Sequence, residues 1–165
     1  MAQTKGTSLH FIPPGPIARA MNRLYGSLTR LGLSMPYSFL LSVPGRRTGE
    51  TRSLPVNLLQ LNGKLFLVST RGHTRWARNA CRSRKISLTR RRLRIEFSLR
   101  VIPDSEKPAV LQSYLSRFKW MAWRFFPVRA GSPLVTFEPI AARYPVFELI
   151  RIRPEDSSES PDLKD

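Results

Sequence analysis

Acidic side chains are scarce in this chain. Asp and Glu number 11 against 28 Lys and Arg, a formal net charge of +17 over 165 residues. So basic a protein needs an anionic counterpart: nucleic acid, an acidic membrane face, or a small polyanionic ligand. Cysteine is nearly missing, and Cys81 alone excludes an internal disulfide and a cysteine-rich metal centre. His10 and His73 are the only histidines and have no carboxylate cluster beside them, so no metal site is expected. Long apolar runs are absent too. Residues 31–43 and 120–128 are the longest, both are interrupted, and neither reaches the roughly 20 residues of a spanning helix. Pro13, Pro14 and Pro16 break the region where a secretory leader would carry its apolar run. These absences predict a soluble, cytoplasmic protein. No catalytic triad, paired-carboxylate site or internal repeat is present.

Hydrophobic residues make up 41% of the chain, enough for one domain with a real core. Residues 1–15 read as a flexible segment, 16–153 as the domain, and 154–165, acidic and poor in apolar groups, as a disordered tail. Pro16 is placed to open a helix that carries Ile17, Met21, Leu24, Leu28 and Leu31 and stops at Gly32. Strands are predicted over 37–43, 51–61, 64–70, 85–89, 93–102 and 144–152. Asn62-Gly63 is the strongest hairpin signal in the chain. Along the fifth strand Leu93, Ile95, Phe97, Leu99 and Val101 share one face. A short helix is expected over 76–84. Another, capped by Asp104 or Ser105, carries Val110, Leu111, Tyr114, Leu115 and Phe118. The fold class is α+β: a small antiparallel barrel of about six strands with flanking helices, since closure removes exposed edges.

Two segments carry chemistry. Gly45-Arg46-Arg47-Thr48-Gly49 joins two strands with adjacent guanidinium groups, a hydroxyl and permissive glycines. Such a turn can face a phosphate or carboxylate. It is not a Walker loop, because the Gly-Lys-Ser/Thr ending and following helix are missing. By composition alone a solvated, charged hairpin turn is the simpler reading. The second segment runs from Ser69, Thr70, Arg71 and Gly72 through His73 and Thr74 to Arg75, Trp76 and Asn79. It leaves a strand and enters a helix, where helix-start amides can meet an anion. Trp76 offers a flat face and Asn79 a donor and acceptor one turn later, a pair suited to a flat heteroaromatic ligand. The plainer alternative is a core tryptophan beside a surface asparagine. Cys81 reads as a buried structural thiol rather than a nucleophile. The basic run Arg82-Ser83-Arg84-Lys85 and the triplet Arg90-Arg91-Arg92 adjoin strands dominated by Ile86, Leu88, Leu93 and Ile95 rather than by base-stacking aromatics. They form a basic rim, and nucleic acid is the less favoured partner.

Together these segments resemble the deazaflavin-dependent nitroreductase family, which uses coenzyme F420 (8-hydroxy-5-deazaflavin). The match runs through Leu40-Leu41-Ser42-Val43-Pro44-Gly45-Arg46-Arg47-Thr48-Gly49 and Arg52-Ser53-Leu54-Pro55-Val56. It continues along Leu65-Phe66-Leu67-Val68-Ser69-Thr70-Arg71-Gly72 to Trp76 and Asn79, and closes on Arg143-Tyr144-Pro145-Val146-Phe147-Glu148-Leu149. It covers roughly residues 19–153. The resemblance implies a split β-barrel related to flavin-binding oxidases and a bound deazaflavin, F420 rather than FMN. It implies that Arg46, Arg47, Thr48 and Gly49 grip the phosphate and anionic tail. Arg52, Pro55, Val56, Asn57, Val68, Ser69, Thr70, Arg71, Gly72, Arg75, Trp76 and Asn79 would line the cleft around ring and linker, with Ser69, Thr70 and Arg71 nearest the reacting ring. The positive charge then concentrates a ligand with a phosphodiester and polyglutamate tail.

Family members that reduce nitro compounds or quinones carry several tyrosines before the last strand. Residues 118–127 contain none, and an apolar, aromatic pocket for a quinone or another flat hydrophobe is expected. The implied function is an F420-dependent oxidoreductase that passes a hydride to such a small-molecule acceptor. A non-catalytic flavin, deazaflavin or lipid carrier of the same fold, and a basic nucleic-acid-binding protein, are the alternatives. Residues 120–126 with Lys119 and Arg124 have the composition for peripheral membrane contact. Either a monomer or a homodimer is compatible with the sequence.

Overall fold

A computed structural model describes residues 37–45 and 50–152. The segment 1–15, the helix expected from Pro16, the tail 154–165, and Arg46, Arg47, Thr48 and Gly49 lie outside the described residues. Six antiparallel strands close into a barrel in the order β1-β2-β3-β6-β5-β4, with β4 returning to pair with β1. They are β1 Ser38–Pro44, β2 Thr51–Leu61, β3 Lys64–Val68, β4 Lys85–Arg90, β5 Leu93–Val101 and β6 Val146–Arg151. The α+β barrel expected from the sequence is the fold. Helix α1, Arg75–Ser83, lies between β3 and β4, and α2, Lys107–Arg117, follows β5. A single turn of helix, α3 at Lys119–Ala122, and two 3₁₀ segments, Trp123–Phe125 and Leu134–Arg143, lead to β6. Among the described residues no helix is long and apolar enough to cross a membrane.

Local chemistry explains the connections. Asn62 and Gly63 both have positive φ, 50° and 75°, and Leu61 pairs with Lys64 across the turn. A two-residue turn of that hand matches the strand twist, and Asn-Gly enters it at least cost. The β1–β2 pairing runs from Ser38↔Asn57 to Pro44↔Thr51, and the Gly45 N–H donates to the Glu50 carbonyl at 2.9 Å. Helix α1 begins at Thr74, whose hydroxyl accepts from the Ala77 N–H. It ends at Arg84, left-handed at φ 54°, whose N–H donates to the Ala80 carbonyl and whose Nε donates to the Cys81 carbonyl.

Alternation along the strands makes two cores, one on each side of the barrel wall. The first gathers Leu41, Val43, Leu67, Ile86, Leu88, Phe97, Leu99, Phe147 and Leu149, with Ala77 and Ala80 of α1 packed among them. Ile95 and Val101 extend this face of β5, whereas Leu93 at its start is 64% exposed. The second core takes the opposite face of the wall. Leu59, Phe66, Val68 and Val146 meet Val110, Leu111, Tyr114 and Leu115 of α2 and then Phe118, Phe126, Phe137 and Tyr144. Full burial of each large side chain contributes about 1.5–3 kcal/mol, so α2 is held by its inner stripe rather than by its ends.

Several expected boundaries shift by one or two residues, the last strand for example running only from Val146 to Arg151, and Cys81 is exposed rather than buried; two differences at element ends have a visible cause. The third strand stops at Val68, not at residue 70, because the Ser69 N–H turns to the Pro145 carbonyl and Ser69 begins a tight loop. Neither Asp104 nor Ser105 caps α2; Glu106 holds the cap position without a side-chain bond. The Asp104 carboxylate instead accepts from Lys107 Nζ at 2.6 Å, which neutralises an ammonium only 6% exposed.

Candidate functional site

A cavity of about 860 Å³ lies between the wall at β1 and β2, the loop leading into α1, and the α2–α3 layer. Its volume falls in the range of about 300–1,000 Å³ usual for small-molecule sites. The strand-to-helix loop forms one part of its rim and is held by its own hydrogen bonds. Gly72 takes φ 79°, and its N–H donates to the Ser69 carbonyl at 3.0 Å. Ser69, 2% exposed, donates its hydroxyl to the Gly72 carbonyl at 2.6 Å and sits 3.1 Å from the Thr74 hydroxyl. Thr74 in turn starts α1, so one hydrogen-bonded knot fixes Thr70, Arg71, Arg75 and Trp76 on the cavity side. His73 ties the loop down from outside, with Nε2 at 3.2 Å from the Ala142 carbonyl.

Arg52, Pro55, Val56, Asn57, Val68, Ser69, Thr70, Arg71, Arg75, Trp76 and Asn79 all line this one cavity. Gly72 does not; it shapes the loop beneath. The Ser69 hydroxyl is spent on Gly72, so it organises the rim and leaves ligand contact to its neighbours. Trp76 answers to both readings of the sequence. It is half-buried, packs against Phe147 at a ring distance of 5.7 Å, and shows its other side to the cavity. Asn79 is 7% exposed, and its side chain makes no hydrogen bond to another described residue. The residue lines the cavity, so its amide can offer a donor and an acceptor there.

Charge in the cavity has one sign. Arg52, Arg71 and Arg75 line it and no carboxylate does among the described residues. The Arg71 guanidinium lies over the Phe125 ring at 4.8 Å and forms no ion pair with a described residue. Burial first, and the nearby Arg124 second, lower its pKa from the ordinary arginine value, the mark of a cation short of a counter-charge.

The α2–α3 side of the cavity draws on residues 118–127, where an apolar, aromatic pocket was expected, and on Tyr114, which was not foreseen. Tyr114, Met121, Ala122 and Phe125 form it. Tyr114 is 4% exposed, and burial pushes its hydroxyl up to about 12, partly offset by the Asn57 side chain. Asn57 also accepts a long hydrogen bond from Ser38 Oγ at 3.4 Å. Phe125 is positioned from behind: Tyr144 donates its hydroxyl to the Phe125 carbonyl at 2.6 Å and stacks on Phe126 at 4.5 Å. The sequence signal for Tyr114 was its place on the apolar stripe of α2, which reads as core. It is core along its ring and cavity at its hydroxyl end.

No known family pattern matches the sequence, and no curated protein is significantly similar to it. Solved structures do superpose. A protein of unknown function from Agrobacterium tumefaciens aligns with TM-score 0.52 at 17% identity, over 88% of this chain and 64% of that one. HutZ, a heme storage protein from Vibrio cholerae, aligns with TM-score 0.50 at 13% identity, over 86% and 92%. An F420-H2-dependent reductase aligns with TM-score 0.49 at 16% identity, over 70% and 95%. At these identities the first two likenesses establish the split-barrel fold.

Proposed function

We propose that the cavity binds coenzyme F420 and that the protein is an F420-dependent oxidoreductase acting on a flat, electron-poor, hydrophobic acceptor such as a quinone. The observation that carries the reading is Arg71: a half-buried cation with no counter-charge among the described residues, in a cavity that three arginines and no described carboxylate line. An anionic ligand with an extended aromatic portion suits that lining. Trp76, Val56 and Pro55 supply flat apolar wall, and the Asn79 amide supplies a donor and an acceptor for a polar ring edge. HutZ shares the fold, but haem would find no imidazole among the described residues here, because His73 does not line the cavity.

The cofactor, when bound, supplies a hydride donor. The chain's own residues have three tasks. Arg52, Arg71 and Arg75 hold anionic groups, with Arg46, Arg47 and Thr48 joining them as the family resemblance implies. Met121, Ala122 and Phe125 give the acceptor an apolar seat and exclude water from it. Tyr114, held protonated by its burial, offers a hydroxyl proton to the oxyanion that an acceptor becomes on reduction.

The test is to incubate the purified protein separately with F420, FMN, FAD and haem, and then to follow oxidation of reduced F420 with an added quinone. F420 is expected to co-elute and turnover to follow. Retention of FMN or haem with F420 left free refutes the cofactor assignment. Tight F420 binding with no turnover on any quinone establishes the carrier instead.

A further inference from the structure

We propose that the segment from Arg117 to Arg124 is a docking surface for an anionic lipid bilayer, which delivers a membrane-dissolved acceptor to the cavity. Only the identity of that cargo rests on the function proposed above. Trp120 is 83% exposed and Trp123 64%, and they are the exposed large aromatic side chains among the described residues. Tryptophan rarely stands in water without a use, since each ring removes roughly 150–250 Å² of surface when covered. Cations surround the pair. Lys119 Nζ lies 5.9 Å from the Trp120 ring, and Arg117, Arg124 and Arg129 are exposed nearby in the chain. From Lys107 to Phe137 there are five cations and no Asp or Glu.

That composition chooses the occupant. A second copy meeting this patch on itself would set Lys119 and Arg124 against their own equivalents, which like-charge repulsion opposes. An anionic bilayer satisfies both halves. Indole rings settle at the headgroup boundary, and lysine and arginine pair with acidic lipid. The backbone adds the decisive juxtaposition. Within the same short stretch Trp120 and Trp123 face outward, while Met121, Ala122 and Phe125 line the cavity. Arg124 is close enough to Arg71 to lower its pKa, so the cationic collar reaches the cavity rim. A docked surface would therefore lie against the apolar side of the mouth, where a lipid-soluble molecule can pass without crossing water.

The experiment is flotation of the full chain with phosphatidylcholine vesicles, with and without phosphatidylglycerol, at low and physiological salt. The wild type should float with the anionic vesicles and show a blue-shifted tryptophan emission. The Trp120→Ala/Trp123→Ala variant should partition at least about tenfold more weakly at every salt concentration. Lys119→Gln and Arg124→Gln should each weaken partition about fivefold, and less so as salt rises. All four side chains are exposed, so unchanged melting is expected and is checked. F420 affinity, measured without vesicles, should be the same in the tryptophan variant as in the wild type. A wild type that stays with the unbound fraction, or a tryptophan variant that floats as well as the wild type, overturns the docking surface whatever the F420 result. If the same tryptophans prove necessary instead for tight binding of a fluorescent oligonucleotide at physiological salt, or for a dimer, the lipid assignment is also overturned.

Discussion

Tyr114 allows the sharpest test of the cavity's architecture. Its phenol is buried between α2 and the wall, and burial raises its pKa from 10 to about 12. The protonated form is thus favoured by the fold, and the sign of the effect follows. Between those two values the unfolded chain has released the proton and the native chain still holds it. Stability therefore falls as pH rises through this window. At about 1.36 kcal/mol per unit, the loss approaches about 3 kcal/mol at the top of the window, an upper figure. Tyr114→Phe removes the hydroxyl and its contact with Asn57, at a cost of about 1 kcal/mol near neutrality. It also removes the alkaline penalty. The two stability curves should cross roughly one pH unit above the ordinary tyrosine value, with the variant the more stable beyond the crossing. Urea denaturation of both proteins across the alkaline range measures this, because every other titrating group is common to the pair. A constant difference between them at all pH values would refute a buried, neutral phenol at the cavity. The same variant should retain F420 and lose turnover on a quinone, by about a hundredfold if the proton comes from Tyr114.

The barrel was largely legible because its signals are local. The period-two pattern of β5, the Asn62-Gly63 turn and the β-rich run at 51–61 each fix an element without reference to the rest of the chain. The wall of the cavity formed by β2 and the 69–79 loop was legible for the same reason: its residues are close in sequence and recur in a known pattern. The other wall was legible in composition, as an apolar and aromatic stretch, but not in structure. Residues 118–143 are aromatic and broken by prolines, and they fold as one helical turn and two 3₁₀ segments with no period to detect. Phe125, which lines the cavity, has its carbonyl held by Tyr144, nineteen residues on, a contact no local pattern announces. Tyr114 hid in plain view, since a residue at helical spacing with Leu111 and Leu115 reads as packing. The missed cap of α2 has a similar origin. Asp104 is a good cap by type, but the fold needed its charge for Lys107.

Two further perturbations probe the scaffold. Gly63→Val should destabilise the protein by about 1–2 kcal/mol while F420 affinity stays unchanged. A Cβ there meets nothing within 4 Å, and the cost is φ +75° itself, which a β-branched residue resists; equal melting temperatures would refute the turn. Glu148 tests the ion cluster on the outer wall. It is 8% exposed, and accepts from Lys64 Nζ at 2.9 Å and from Arg100 at 2.7 Å, while Arg100 also reaches Glu106 at 2.9 Å. Burial alone would raise the Glu148 pKa, but the bonds from Lys64 and Arg100 outweigh it and hold the carboxyl below the ordinary glutamate value. A depressed native value means that the stabilisation is present above the unfolded glutamate pKa and disappears as pH falls through the native one. Glu148→Gln should therefore cost about 1 kcal/mol at neutral pH, a modest figure because Lys64 and Arg100 are solvated enough to find water when the carboxylate is gone. Wild type and variant should converge in acid. A difference that persists undiminished below the titration range of Glu148 would mean that the glutamate side chain stabilises the wall by packing rather than by charge.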